Sequence, residues 1–181
     1  MYWLAQTFGF IATAIILTYT LCNVSRKMIM ICNIILNNLW AIHYIILGAY
    51  TGAFCSFFTA FMFFCFSFKG KNAFFKGLWM PIIFNICFLA IEIFTWAGLS
   101  TVIQMVGNIL LIVAMWAEKE IHIKALCIPV GILWCVYNYI FFSWMGLVGQ
   151  MLAVSCNIIF VIRYLVRKKQ NRDTAFTNSE S

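Results

Sequence analysis

The sequence predicts an all-α membrane protein with seven transmembrane helices, set out as two parallel three-helix repeats joined by a linker helix. Three observations carry that expectation. Hydrophobic residues make up 65% of the 181-residue chain and charged residues only 9%, against about 25% charged in a soluble domain. The apolar residues fall into runs near the roughly 20 residues that a spanning helix needs. Every Lys and Arg lies in, or at the edge of, alternate connectors between those runs.

Polar punctuation places the spans. The first covers residues 2–21 and ends at Asn23, Ser25, Arg26 and Lys27. The second covers 28–47, and the Gly48–Gly52 turn leads into a third that reaches Phe68. Lys69, Lys71 and Lys76 mark the next connector, followed by a fourth span over 78–94 and a break at Trp96–Gly98. The fifth covers 100–117, and a polar connector holds Glu118, Lys119, Glu120, His122 and Lys124. The sixth covers 125–142; Ser143–Gly146 turns into the seventh, which ends near Val166. Grouped by repeat, the expectation is 1–68, a linker 69–98, 99–169, and a polar tail 170–181 expected to be disordered. Helices are required because hydrocarbon leaves no solvent for an unpaired backbone group.

The basic residues give an orientation. Two follow span one, three follow span three, two follow span five, and five lie at or after the end of span seven, which accounts for all twelve. The opposite connectors hold none, so the positive-inside rule puts the N-terminus outside and the C-terminus inside. The start, Met1-Tyr2-Trp3-Leu4, lacks the basic region of a cleavable signal and reads as a retained helix. The eight scattered cysteines form no Cys-x-x-Cys pair and read as small buried hydrophobes.

Two sets of matches suggest the repeat. Leu39-Trp40 with Gly52 matches Leu133-Trp134 with Gly146 at an offset of 94, and Gln6 with Gly9 matches Gln104 with Gly107 at an offset of 98. An odd linker helix leaves two such units parallel, and repeats of this kind place a solute site near the membrane midplane.

Polar side chains within spans are the candidate functional groups. Asn33, Asn37, Trp40 and Tyr44 form one stripe at helical spacing on span two. Asn108 follows Gln104 by four residues, Asn138 follows Trp134 by four, and Asn157 follows Gln150 by seven. Neutral amides and indoles suit a polar-solute pathway; interhelical hydrogen bonding and packing are the other reading. His43 is a candidate proton-linked group or a satisfied core histidine. Glu92, the one acid within a span, is a candidate coupling group or an interfacial carboxylate near the outer end of span four. Pro81 and Pro129 lie inside spans four and six, where each removes a backbone donor and can kink its helix. No Walker loop, zinc-protease motif or nucleophile elbow occurs, and no lysine falls within a span. Neither an enzyme nor a cofactor or metal protein is expected, and no nucleic acid is called for as a partner.

Tyr2-Trp3-Leu4-Ala5-Gln6 with Gly9, His43 with Leu47-Gly48-Ala49-Tyr50, and Asn157-Ile158-Ile159 with Arg163 resemble the YgjV-type bacterial inner-membrane proteins. That resemblance implies a multi-pass location in the bacterial inner membrane. The three-one-three plan is also similar to the SWEET, PQ-loop and PnuC-like carriers of small solutes, although the Pro-Gln dipeptide is missing. It implies an ATP-independent carrier whose halves rock about a central site, with Asn157 and Trp134 resembling site residues of that architecture. Spans two, five, six and seven would line the site, with Asn37, Trp40, Tyr44, Asn108, Trp134, Asn138 and Asn157 as solute-binding candidates. A membrane protein that scaffolds or regulates a partner is the alternative, and association with further copies of the chain is left open.

The orientation is checked with alkaline phosphatase, which works only outside the cytoplasm. A fusion after the last span is expected to be inactive, and one in the Gly48–Gly52 turn active. The opposite pattern would invert the topology.

Overall fold

The computed structural model describes residues 2–21, 25–69 and 73–179. Seven α-helices run in order: α1 (Tyr2–Leu21), α2 (Arg26–Leu47), α3 (Tyr50–Phe66), α4 (Trp79–Phe94), α5 (Leu99–Trp116), α6 (Glu120–Ile140) and α7 (Trp144–Ser179). A short 3₁₀ turn, Ala73–Lys76, precedes α4. No β-strand occurs among the described residues. Within them, α2, α5, α6 and α7 are long and apolar enough to cross a bilayer, while Tyr2–Thr18, Tyr50–Phe66 and Trp79–Phe94 are shorter apolar helices. A 17-residue helix reaches about 25 Å, the lower limit for a hydrocarbon core of about 30 Å.

Short connectors make the helices alternate in direction. Gly48 adopts φ 75°, and this left-handed position closes α2 as the Ala49 N–H returns to the Tyr44 carbonyl at 2.9 Å. Gly98, at φ 72°, turns the chain into α5. Between α6 and α7 the turn forces Phe142 to φ 51°, an uncommon conformation for a bulky residue. One end of the bundle therefore collects the start of α1 and the α2–α3, α4–α5 and α6–α7 turns. Thr51 ties two of these turns together by donating to the Thr95 carbonyl at 2.5 Å.

The other end collects the basic connectors. Ser25 caps α2 by accepting from the Met28 N–H at 3.4 Å. Lys69, after α3, donates to the Trp116 carbonyl at 2.6 Å, lies 3.9 Å from the Trp116 ring centre and pairs with Glu118 at 3.9 Å. An ammonium is well placed there, because the last carbonyls of α5 lack helical partners and carry the negative end of its dipole. Lys71 lies outside the described residues, as does Cys22; the seven described cysteines are free thiols.

Packing divides the bundle into two helix triads. Helix α2 packs against both α1 and α3, and α6 packs against both α5 and α7. Helix α1 also packs on α7, while α4 bridges α3 and α5. One apolar core joins Phe63 and Phe66 to Phe84, Phe88, Ile112 and Met115 across α3, α4 and α5. A second joins Trp40 and Tyr44 to Ala53, Tyr137 and Ala153. The outside is equally apolar: Phe54, Phe57, Phe61 and Phe64 stand exposed on α3, and Val102, Val106, Ile109 and Val113 on α5. Exposed apolar surface this extensive requires lipid around it.

Four expectations need correcting. Helix α6 begins at Glu120, so His122 and Lys124 belong to it and not to a connector. Helix α7 continues through Ser179 and takes in most of the polar tail; no Gly or Pro interrupts the chain after Gly149. Residues 180 and 181 lie outside the described residues. Pro81 is the third residue of α4, in the first turn, where its missing N–H costs no helical bond. Pro129 is the proline inside a helix. Glu92, expected near water, is completely buried.

Two glycines separate close packing from mere flexibility. A methyl group on Gly146 would overlap Asn138 Oδ1 and Ser143 Oγ, whereas one on Gly107 would find its nearest neighbour at 3.8 Å. Gly146→Ala should destabilise the bundle by about 1–3 kcal/mol. Gly107→Ala should leave stability unchanged or raise it, given the helix preference for alanine. Thermal unfolding in detergent checks the pair.

Candidate functional site

A cavity of about 120 Å³ lies between the two triads. The stripe on α2 forms one wall: Asn33, Asn37, Trp40 and Tyr44 all line it. Trp134 of α6 and Gln150 and Asn157 of α7 face them. The structure thus brings together Asn37, Trp40, Tyr44, Trp134 and Asn157 from the expected set. Helix α3 adds Ser56 and Thr59, small polar residues of a phenylalanine-rich run that sequence reading passed over. From Ile29 to Tyr44 the cavity follows α2 over sixteen residues, about 22 Å.

The amide nitrogens of the stripe are tied to their own helix. Asn33 Nδ2 donates to the Ile29 carbonyl and Asn37 Nδ2 to the Asn33 carbonyl, each at 2.8 Å. Such back-bonding leaves the Asn37 oxygen as the acceptor it can offer a solute. Trp40 is held by stacking on Tyr44, ring centres 5.8 Å apart, and by an edge contact to His43 at 5.1 Å.

At the end away from the basic connectors, a polar layer seals the cavity. Tyr44 donates its hydroxyl to Asn138 Oδ1 at 3.1 Å, and Asn138 Nδ2 donates to the Trp134 carbonyl at 2.8 Å. Asn138 therefore stands behind Tyr44 and is absent from the cavity wall. His43, completely buried, places Nδ1 2.6 Å from the Ala5 carbonyl and Nε2 2.7 Å from Ser143 Oγ. A carbonyl can only accept, so Nδ1 carries the hydrogen and donates to Ala5, while Nε2 pairs with the Ser143 hydroxyl, a group that can donate or accept. Gln6 Oε1 accepts from the Met145 N–H at 3.2 Å and adds a further tie between α1 and α7. These contacts join α1, α2, α6 and α7 at one level.

Asn108 sits elsewhere. Its Nδ2 donates to Glu92 Oε1 at 2.8 Å, linking α5 to α4, and the Cys55 thiol of α3 approaches the same oxygen at 4.0 Å. Glu92 Oε2, Asn108 Oδ1 and both polar atoms of Gln104 are buried with no hydrogen-bond partner. Gln104 and Asn108, four residues apart, share one face of α5. Unsatisfied polar atoms away from water are costly, and a carboxylate most of all. This cluster is a second polar centre, outside the cavity wall.

Sequence reading missed Lys124. The residue is 6% exposed and lines the cavity, and its side chain pairs with Glu120 Oε1 at 3.2 Å and lies 3.9 Å from the Phe160 ring centre. The spacing of Glu120 and Lys124, an i,i+4 acid–base pair, was the available signal that both belong to a helix. Among the described residues no group of three His, Cys, Asp or Glu side chains is placed to hold a metal.

No curated protein and no solved structure matches the chain. Residues 3–168 match the Imp-YgjV family, described as bacterial inner membrane protein. That match takes in all seven helices short of the α7 tail, and it agrees with the apolar exterior and the membrane-length helices. The chain belongs to the YgjV family of bacterial inner membrane proteins.

Proposed function

We propose that the protein is an ATP-independent transporter of a small solute, working by alternating access between its two helix triads. The observation that carries this reading is the central cavity, whose polar groups and indoles come from both triads. A bundle with a dry, closed centre would have favoured the rival, a scaffold for another membrane protein. In this account all seven helices span the bilayer, with the N-terminus outside and the basic end in the cytoplasm.

The proposed relation between the triads is a parallel three-one-three repeat about an axis along the membrane normal, with α4 as linker. Tyr44 and Asn138, which hydrogen-bond to each other, are 94 residues apart. That is the offset of Trp40 and Trp134 and of Gly52 and Gly146. Direct contact between equivalent positions supports a pseudo-symmetry axis passing near this pair. The conformation is then closed outside, with its cavity extending towards the cytoplasmic ends of α2 and α6.

Glu92 is the proposed proton-coupling group, in preference to His43. Both His43 nitrogens are already engaged in holding helices together. Glu92 instead meets an amide that can serve either charge state. Asn108 Nδ2 donates to the carboxylate, and after a flip its oxygen can accept from the carboxylic acid. The other titratable side chain at this carboxylate is Cys55 of α3. Linking α4 to α5, the pair lies where the linker meets the second triad.

Vesicles with and without the protein, loaded with cell extract and profiled by mass spectrometry, should differ in a retained solute. Asn157→Ala should reduce that flux at least tenfold while leaving the protein in the membrane. Flux equal to that of the unaltered protein would remove Asn157 from the site, and no difference at all would favour the scaffold reading. Glu92→Gln should preserve exchange at equal pH and abolish its response to an imposed pH gradient. A response that survives the substitution would exclude Glu92 as the coupling group.

A further inference from the structure

Tyr137 of α6 stands between the sealing layer and the Glu92 centre. It is absent from the cavity wall and 1% exposed. Its ring meets Tyr44 edge-on at 5.7 Å and Trp134 at 5.4 Å. The next residue, Asn138, accepts the Tyr44 hydrogen bond that closes the seal. The Tyr137 hydroxyl lies against the backbone of Gly52 on α3. In that first helical turn the Gly52 N–H can serve the phenolic oxygen. The hydroxyl hydrogen has no acceptor.

An unanswered hydroxyl is costly inside the bundle, and phenylalanine would fill the same space without that cost. The hydroxyl therefore points to a second conformation in which it has a partner. Cys55 follows Gly52 by three residues on the same face of α3, and its thiol lies 4.0 Å from Glu92 Oε1. Tyr137 and Glu92 thus flank one thiol, with an unused donor on one side and the unused acceptor Glu92 Oε2 on the other. The titratable groups around them are Cys55 of α3 and, against the Tyr137 ring, Tyr44 of α2; α5 brings the neutral amides Gln104 and Asn108. A protonated Glu92 has little need of a further donor. An ionised Glu92 gains a charge-assisted O–H···O⁻ bond, roughly twice as strong as a neutral one. Reaching for it draws Tyr137 away from Tyr44, and Asn138, its neighbour in the chain, goes with it.

We infer that Tyr137 is the positioning residue that connects Glu92 to the seal: ionised Glu92 recruits the Tyr137 hydroxyl, and the shift of α6 parts Asn138 from Tyr44 and opens the outer end. This inference rests on the reading of Glu92 as the coupling group and adds the residue that transmits its charge.

The test reads the opening of the seal and needs no solute. Asn37→Cys supplies a thiol on the cavity wall, in the full chain keeping Cys55 and no other native cysteine, reconstituted in vesicles. An impermeant maleimide added on the outer side reaches that thiol through an open seal. Labelling of the same chain without Asn37→Cys is subtracted. Each rate is divided by the rate with Glu92→Gln at the same pH, which removes the pH dependence of the thiol itself. With Tyr137 in place, that ratio should rise roughly tenfold or more from acid to alkaline pH, the effect of one hydrogen bond to a charged group. Tyr137→Phe should label like Glu92→Gln at both pH values. It should also unfold at the same temperature as the chain with Tyr137, or higher, since it loses an unanswered hydroxyl. If Tyr137→Phe keeps the rise, or unfolds at a lower temperature, the role of Tyr137 fails and Glu92 stands as the coupling group. A ratio that stays flat with Tyr137 in place overturns both.

Discussion

Lipid offers no hydrogen bonds, and this constraint governs the rest of the structure. Each polar group that the chain carries into the bundle must find its partner there or face a space that water can enter. The backbone meets the requirement by folding into helices. Polar side chains meet it in three places: a layer near one end, a cavity in the middle, and a cluster at the junction of α3, α4 and α5. Apolar side chains have no such demand and cover the outside, where the exposed phenylalanines of α3 and the valines of α5 meet the acyl chains.

The three places differ in how fully they are satisfied, and their proposed roles follow from that difference. In the end layer, His43, Ser143, Tyr44 and Asn138 answer one another and make a closed contact between triads, with Gln6 Nε2 left as a buried atom without a partner. Glycines permit it: Gly9 lies against His43, Gly52 against Tyr44 and Tyr137, and Gly146 against Asn138. Along the cavity the amides and Lys124 face a space of solute size. At the α3–α4–α5 junction, Glu92, Asn108 and Gln104 keep buried atoms without partners. A proton can settle part of that deficit, since a carboxylic acid donates where a carboxylate only accepts.

Much of the fold was legible because span boundaries depend on local composition. Residues 2–21 were expected as a helix and form one, and the α2 stripe at spacings of four, three and four residues faces a common space. Helical periodicity fixes which residues share a face, and it is silent on which neighbour that face meets. Asn108 and Asn138 were therefore grouped with the cavity, although one turns to Glu92 and the other to Tyr44. Burial of Glu92 was illegible for a related reason: position along the helix suggested an interface, while packing by α3 and α5 excludes water. Lys124 was assigned to a polar connector because its neighbours Glu118, Lys119 and Glu120 are charged, and charge in a short segment reads as solvated until the helix is seen to start there.

The central claim is that water and solute reach a space between the two triads. Thiol accessibility tests it directly, in a background with the native cysteines replaced. Asn37→Cys places a thiol on the cavity wall, and Ile35→Cys places one on the lipid-facing side of the same helix, where the residue is 51% exposed. A membrane-impermeant maleimide applied from the cytoplasmic side should label the first and spare the second, because thiolate forms in water and not in hydrocarbon. Equal labelling of both, or no labelling at Asn37→Cys from either side of the membrane, would contradict the account.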